Sequence, residues 1–255
     1  MSWEIRQGNS LDLLAEMEPD SVQTVITSPP YWGLRDYGHP GQLGLEATPA
    51  EYVDRMVELF RGVRKALKPD GTLWLNLGDS YASTSKGSGG ASQKQTSNAG
   101  SFYDARKLIL PDGLKPKDLC GIPWRVALAL QADGWWLRSD IIWHKPNPMP
   151  SSVTDRPTSS HEYLFLLTRS ARYYYDAEAI KEKATGSSNR NTERRFDTSY
   201  GKSRSDHAAR GIPWDGSDYR NKRSVWTMPT RPFKGSHFAV MPPNLVEPCI
   251  KAGSR

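Results

Sequence analysis

Cysteine is scarce in this 255-residue chain: Cys120 and Cys249 stand far apart, and neither belongs to a Cys-x-x-Cys pair. Two such thiols exclude a disulfide-framed fold and a cysteine zinc site, so no metal is expected, and they fit a reducing, cytoplasmic setting. No apolar run approaches the length of a bilayer span, which removes the membrane from the expected partners. The opening MSWEIRQGNS lacks a basic stretch followed by an apolar one, so no secretory leader is expected. Acid is in deficit, with 28 Asp and Glu against 34 Lys and Arg, a net charge of +6 and a pI near 9.2. That balance permits a polyanionic partner without requiring one. Internal repeats are absent too, and the length suits one large domain or a domain with a substantial insert.

What is present reads as alternating helices and strands. Trp3 to Ile5 suits a short strand, and Leu11, Leu14 and Met17 mark a short amphipathic helix. Ser21 to Ile26 is a buried strand. After the glycine-rich loop from Gly33 to Gly44, Thr48-Pro49-Ala50-Glu51 forms a capping box with proline at the first helical position. Val53, Val57, Phe60 and Leu67, flanked by Met56 and Val63, make one apolar helix face. Lys68-Pro69-Asp70-Gly71 ends that helix and turns into a strand from Thr72 to Leu77. Helix, turn and buried strand in this order predict a parallel sheet with covering helices. A second helix covers Pro123 to Ala132, a strand runs from Trp136 to Trp143, and another from Glu162 to Thr168 is expected antiparallel at the sheet edge. Residues 83–101 are low in complexity and predict a mobile loop. From Lys181 to Arg223 the chain changes character, with eleven Lys or Arg against six acids and few aliphatics. This predicts a basic insert (181–223) on a domain formed by residues 1–180 and 224–255.

The stretch TVITSPPYWG, Thr24 to Gly33, holds the most chemistry. Two prolines remove two backbone donors and fix two φ angles, so the strand cannot pass Ser28. The result is a stiff corner at a strand's C-terminal end, where open α/β sheets bind ligands. The exocyclic amine of cytosine or adenine is a poor nucleophile because its lone pair is delocalised into the ring. Acceptors aimed at both N–H bonds return that lone pair to nitrogen. The Ser28 hydroxyl and the Pro29 carbonyl are two such acceptors. Tyr31 can stack on a base taken out of the duplex. Methyl transfer from a sulfonium then needs alignment more than acid–base power.

With these residues in view, TSPPYW resembles the catalytic motif of the DNA amino-methyltransferases. GTLWLNLGDSY, DLCGIPWRVALAL, RSDIIWHKPNPMP and RPTSSHEYLFLLTRSARYYYD resemble the same family, in the order of its circularly permuted class. The resemblance covers nearly the whole chain apart from the glycine-rich loop and the basic insert. It implies a Rossmann-like α/β fold with a mostly parallel sheet, S-adenosylmethionine as cofactor and double-stranded DNA as partner. It implies that Ser28, Pro29, Pro30 and Tyr31 form the target-amine site, lined by Thr27 and Trp32. Asn9, Ser10 and Thr27 fall near the cofactor, as do His237, Phe238 and Ala239; the family often has an acid where Asn9 stands. Trp143, Lys145 and Asn147 match a loop facing the active site, or form a structural proline loop. His161 and Glu162 either support that loop or simply start a strand. The insert matches the target-recognition region, where Arg190, Arg194, Arg195, Lys202, Arg204 and Arg210 are phosphate contacts or a solvated basic surface.

The family also has a glycine-rich turn that holds the methionine end of the cofactor. No such turn follows the segment HFAVMPPNLVEPCIKAGS here, and Gly87-Ser88-Gly89-Gly90 has no strand before it. The resemblance therefore implies a fold incomplete at its C-terminus. The alternatives are the front part of a longer or split enzyme, with a second polypeptide completing the cofactor site, a truncated form that binds DNA and is inactive alone, or a different fold that works alone. Pro248-Cys249 offers the nucleophile of a carbon-5 cytosine methyltransferase, but in a helical run with no strand-end loop, so a core cysteine is expected. Serine before Pro-Pro-Tyr favours cytosine N-4 over adenine N-6 and argues against glutamine or RNA as substrate. A cognate restriction endonuclease is the implied counterpart.

Overall fold

Strand β1 (Val22–Thr27) runs parallel to β2 (Leu67–Leu77), and this pair sets the direction of the whole sheet. The structure is a computed structural model, and it describes residues 3–82, 113–184, 219–231, 233 and 240–255. Two further long strands, β3 (Trp136–His144) and β4 (His161–Thr168), and the short β7 (Val225–Thr227) complete a five-stranded sheet ordered β1-β2-β4-β3-β7. Parallel pairing of β1 with β2 and of β3 with β7, and antiparallel pairing of β4 with both its neighbours, leave β4 as the one reversed strand. A separate two-stranded ladder joins β5 (Glu182–Lys183) to β6 (Tyr219–Arg220).

Side chains alternate between two apolar layers, as the period of a strand requires. Leu73, Leu75 and Leu77 of β2 and Phe165 and Leu167 of β4 enter one core, under the helices α1 (Ser10–Glu16), α2 (Pro49–Ala66) and α3 (Ile122–Ala132). Trp74, Leu164, Leu166, Ile141 and Trp143 enter the other, covered by α4 (Pro243–Gly253). Helices on both faces of a sheet with four aligned strands make the expected α/β architecture.

Local chemistry explains the helix ends. Thr48 Oγ1 accepts from Glu51 N at 3.2 Å, and the Glu51 carboxylate accepts from Ala47 N at 3.0 Å. Gly121 precedes α3 at φ +70°, and the Asp79 carboxylate accepts from both Gly121 N and Ile122 N. Gly134 closes the turn after α3 at φ +97°.

Four expectations change. The buried face of α2 is Tyr52, Met56, Leu59, Phe60, Val63 and Ala66, with Val53 and Val57 on its flank. Lys68-Pro69-Asp70-Gly71 is not a free turn but an irregularity within β2: Val22 pairs with Leu67, and Thr24 pairs with Thr72. Strand β4 lies inside the sheet rather than at its edge; Leu164 to Thr168 are all buried, because that run carries apolar groups to both faces. Trp3 to Ile5 is not a strand. Trp3 and Ile5 are 84% and 82% exposed, and a strand without a hydrogen-bonding neighbour gains nothing from being extended.

Strand β1 forms one edge of the sheet, half-buried at every residue. Above it, α4 docks by a close approach of backbone to side chains. A Cβ on Gly253 would stand 2.4 Å from Thr72 Oγ1 and 2.8 Å from Thr24 Oγ1. Those hydroxyls bond each other at 2.9 Å, and Trp74 Nε1 donates to Thr72 Oγ1. Gly253→Ala should therefore lower stability by about 1–3 kcal/mol in urea unfolding; an unchanged midpoint would show that α4 is not seated on this pair.

Candidate active site

Four chain segments reach the same edge of the sheet. The parallel register brings Ser28, just past β1, level with the end of β2 at Asn76 to Gly78. The reversed direction of β4 brings its start there as well, with Tyr163 opposite Leu77. On β3, Trp143 pairs with Glu162 and His144 with His161, so Lys145 also emerges at this edge.

The corner is clamped from two sides. A Cβ on Gly78 would stand 2.6 Å from the Tyr31 ring, and one on Gly44 would stand 2.9 Å from the Tyr31 carbonyl. Gly33 N donates to the Gly44 carbonyl at 2.8 Å and closes the base of the loop between them. Tyr52 Oη donates to the Pro30 carbonyl at 2.9 Å, while Pro29 is buried and Ser28 is exposed. Burial, then the neighbouring Glu46 carboxylate, raises the Tyr52 phenol above its ordinary range, which keeps this donor protonated.

Tyr31 Oη lies at the centre of a polar cluster. It is 2.8 Å from Glu162 Oε2, 3.1 Å from Asn76 Oδ1 and 3.4 Å from Ser28 Oγ. Burial and the Glu162 carboxylate raise the Tyr31 phenol well above its ordinary range. Glu162 is ion-paired with Lys145, and the Lys145 ammonium sits 4.3 Å from the centre of the Trp143 ring. Asn76 is buried and donates from Nδ2 to the Tyr163 carbonyl.

Several expected site residues occupy supporting positions. Trp32 is a core side chain whose Nε1 donates to the Glu46 carbonyl, so it braces the corner from within instead of lining it. Trp143 is buried and donates to the Met228 carbonyl, and its ring carries Lys145. Asn147 exchanges hydrogen bonds with Thr230 and ties the proline loop to the segment after β7. Asn9 caps α1, accepting from Leu11 N at 2.9 Å. Leu14 packs at Gly62 of α2, while Asn9 and Ser10 are exposed and, among the described residues, have no hydrogen bond to the strand-end cluster. His237, Phe238 and Ala239 lie outside the described residues, as do Arg190, Arg194, Arg195, Lys202, Arg204, Arg210 and residues 83–101. The described ends of the basic insert meet in the β5–β6 ladder, where Glu182 pairs with Arg220 and Arg223.

Gly78, Tyr52 and Asn76 carry no catalytic motif of their own; the one available signal was Asn76, a polar residue inside the apolar run of β2. Cys249 is buried, and desolvation pushes its thiol up to about 12, which does not suit a nucleophile. Among the described residues no three His, Cys, Asp or Glu gather as metal ligands, and no helix is long and apolar enough to cross a membrane.

A sheet covered on both faces, with a proline-stiffened corner at its strand ends, defines a Rossmann-like methyltransferase fold. Comparison with known proteins agrees. A family model described as DNA methylase matches residues 22–255. The Type II methyltransferase M.Cfr9I of Citrobacter freundii is 44% identical over 249 residues, covering 98% of this chain and 72% of the relative. The Type II methyltransferase M.SmaI of Serratia marcescens is 46% identical over 256 residues, covering 100% and 76%. Among solved structures, PvuII DNA methyltransferase (cytosine-N4-specific) superposes with a TM-score of 0.57 at 16% identity, over 97% of this chain and 69% of that one, a likeness of fold. The chain belongs to the DNA methylase family, in its amino-methyltransferase class.

Two measurements check the site's packing. Gly78→Ala should lower stability by about 1–3 kcal/mol, because the Tyr31 ring is fixed at its hydroxyl and cannot yield freely; unchanged urea unfolding would show that the ring is loose. In the native protein at pH 8, a disulfide reagent should label neither Cys249 nor Cys120 until the chain is unfolded, and fast labelling of Cys249 would revive the carbon-5 alternative.

Proposed function

We propose that this chain methylates the exocyclic amine of a base taken out of double-stranded DNA, with cytosine N-4 preferred over adenine N-6. The observation that carries the proposal is the exposed Ser28 hydroxyl at the sheet edge, fixed by two prolines and backed by Tyr31. Ser28 Oγ and the Pro29 carbonyl accept the two amine N–H bonds, and the return of the lone pair to nitrogen makes it nucleophilic. Cytosine is preferred on the serine at position 28, and one structural relative is described as cytosine-N4-specific. Asn147 and the arginines and lysines of the basic insert are the proposed DNA-facing groups, while Lys145 is engaged with Glu162 at the root of the Asn147 loop. A cytoplasmic location and a cognate restriction endonuclease belong to the same proposal.

S-adenosylmethionine, when bound, supplies an electrophilic methyl group. The described residues fit it on one side only, where Thr27 ends β1 at the corner; Asn9, Ser10, His237, Phe238 and Ala239 are assigned to it by resemblance. The outer edge of β1 bears no paired strand among the described residues. That observation favours a second reading, in which a further strand-bearing segment, in this polypeptide or a second one, pairs along β1 and completes the cofactor site.

The test is to incubate the purified chain with unmethylated plasmid and S-adenosylmethionine, digest the DNA to nucleosides and identify the product by mass spectrometry. N4-methylcytosine is expected, with a loss on the order of 100-fold or more in Ser28→Ala. N6-methyladenine would reassign the base. Undiminished methylation by Ser28→Ala would remove the corner from the chemistry.

A further inference from the structure

Methylating an amine leaves a proton to be disposed of. As the N–C bond forms and the sulfonium S–C bond breaks, nitrogen is left with one N–H too many. Ser28 Oγ accepts from that amine in the reading above, but an alcohol is too weak a base to keep the proton.

The cluster behind Ser28 offers somewhere for it to go. Ser28 Oγ lies 3.4 Å from Tyr31 Oη, which lies 2.8 Å from Glu162 Oε2. Two other polar groups, in β2 and just after it, serve less well, since Asn76 is no base and Asp79 has no hydrogen bond to Ser28 or Tyr31. Asn76 is an amide and takes no proton at ordinary pH. The Asp79 carboxylate accepts from Ser80 N, Gly121 N and Ile122 N and serves as the cap of α3. We propose that Glu162 is the terminal proton acceptor of the amine site, reached from Ser28 through Tyr31, with Lys145 fixing the carboxylate in place. This rests on the amine-site reading above and extends it.

The step balances. The amine proton passes to Ser28 Oγ as the Ser28 proton passes to Tyr31 Oη, and the Tyr31 proton passes to Glu162 Oε2. Both hydroxyls end as they began, and Glu162 ends as a neutral acid. Its side chain is 18% exposed, enough to release the proton to water. The raised phenol suits Tyr31 as a conduit that stays protonated rather than as a base in its own right. Glu162 touches no substrate; it is a positioning and proton-accepting residue that works through Tyr31.

Single-turnover methylation by the chain tests this. Glu162→Gln keeps the shape and a hydrogen-bond partner for Tyr31 but cannot take the proton. Its methyl-transfer rate should fall by about 100-fold or more, with KM for DNA nearly unchanged. Tyr31→Phe should fall similarly, the double variant should be no worse than either single one, and Glu162→Asp should recover part of the rate. Because Glu162→Gln strands a half-buried ammonium, Glu162→Gln with Lys145→Met removes both charges; with a wild-type melting curve it should show the same loss. A Glu162→Gln rate within about threefold of wild type, or losses that multiply in the double variant, would overturn the relay. If Ser28→Ala abolishes transfer and Glu162→Gln does not, only the relay falls. If Ser28→Ala is also active, the amine-site reading falls with it; if the wild-type chain transfers nothing alone, the same variants are compared with the completing segment supplied, and a complete protein that methylates no exocyclic amine overturns both.

Discussion

One phenolic hydrogen governs the architecture of this site. Tyr31 has a single O–H and meets a carboxylate at 2.8 Å and an amide oxygen at 3.1 Å. Charge-assisted hydrogen bonds are the stronger kind, so the carboxylate takes the proton's direction and the oxygen lone pairs turn toward Ser28. The ring cannot tilt to relax this, because Gly78 leaves no room for even a Cβ against it. Corner, β2 and β4 are thereby held to one another by a side chain of the corner that belongs to neither strand.

That arrangement needs a reversed strand. The four aligned strands deliver their C-terminal ends to one edge, which is where open α/β sheets bind ligands. Only β4 delivers its beginning, and Glu162 is its second residue. A parallel strand in the same place would have put the carboxylate at the far end of the sheet. The apolar run that follows Glu162 secures it, since Leu164 to Thr168 are buried between β2 and β3.

Much of this was legible in the residues and some was not, for definite reasons. The capping box at Thr48, the proline stop after Thr27 and the helix before Gly134 are local signals, and each element formed where it was expected. The central place of β4 was not legible, because an apolar run says that both faces are covered without saying which strands lie beside it. The role of Lys68 to Gly71 was missed because the sequence signature of a turn is shared by an irregular strand. At the strand ends, the two residues that the motif singles out, Ser28 and Tyr31, lie together with Asn76 and Glu162. The supporting positions of Trp32 and Trp143 depend on where their indole N–H groups find partners, and those partners, Glu46 and Met228, are remote in sequence or chosen by tertiary packing. Glu162 was legible only as a loop support or a strand start, since its contact with Tyr31 spans more than half the chain.

The hairpin of β3 and β4 carries a consequence for how such a protein diversifies. Lys145 and Glu162 are set by the ladder that pairs His144 with His161, and the Lys145 amide closes it on the Ser160 carbonyl at 2.7 Å. The stretch between them is a tethered excursion whose roots are fixed independently of its contour. Its length and composition can drift, trading one surface for another, while the ion pair at its base keeps its coordinates.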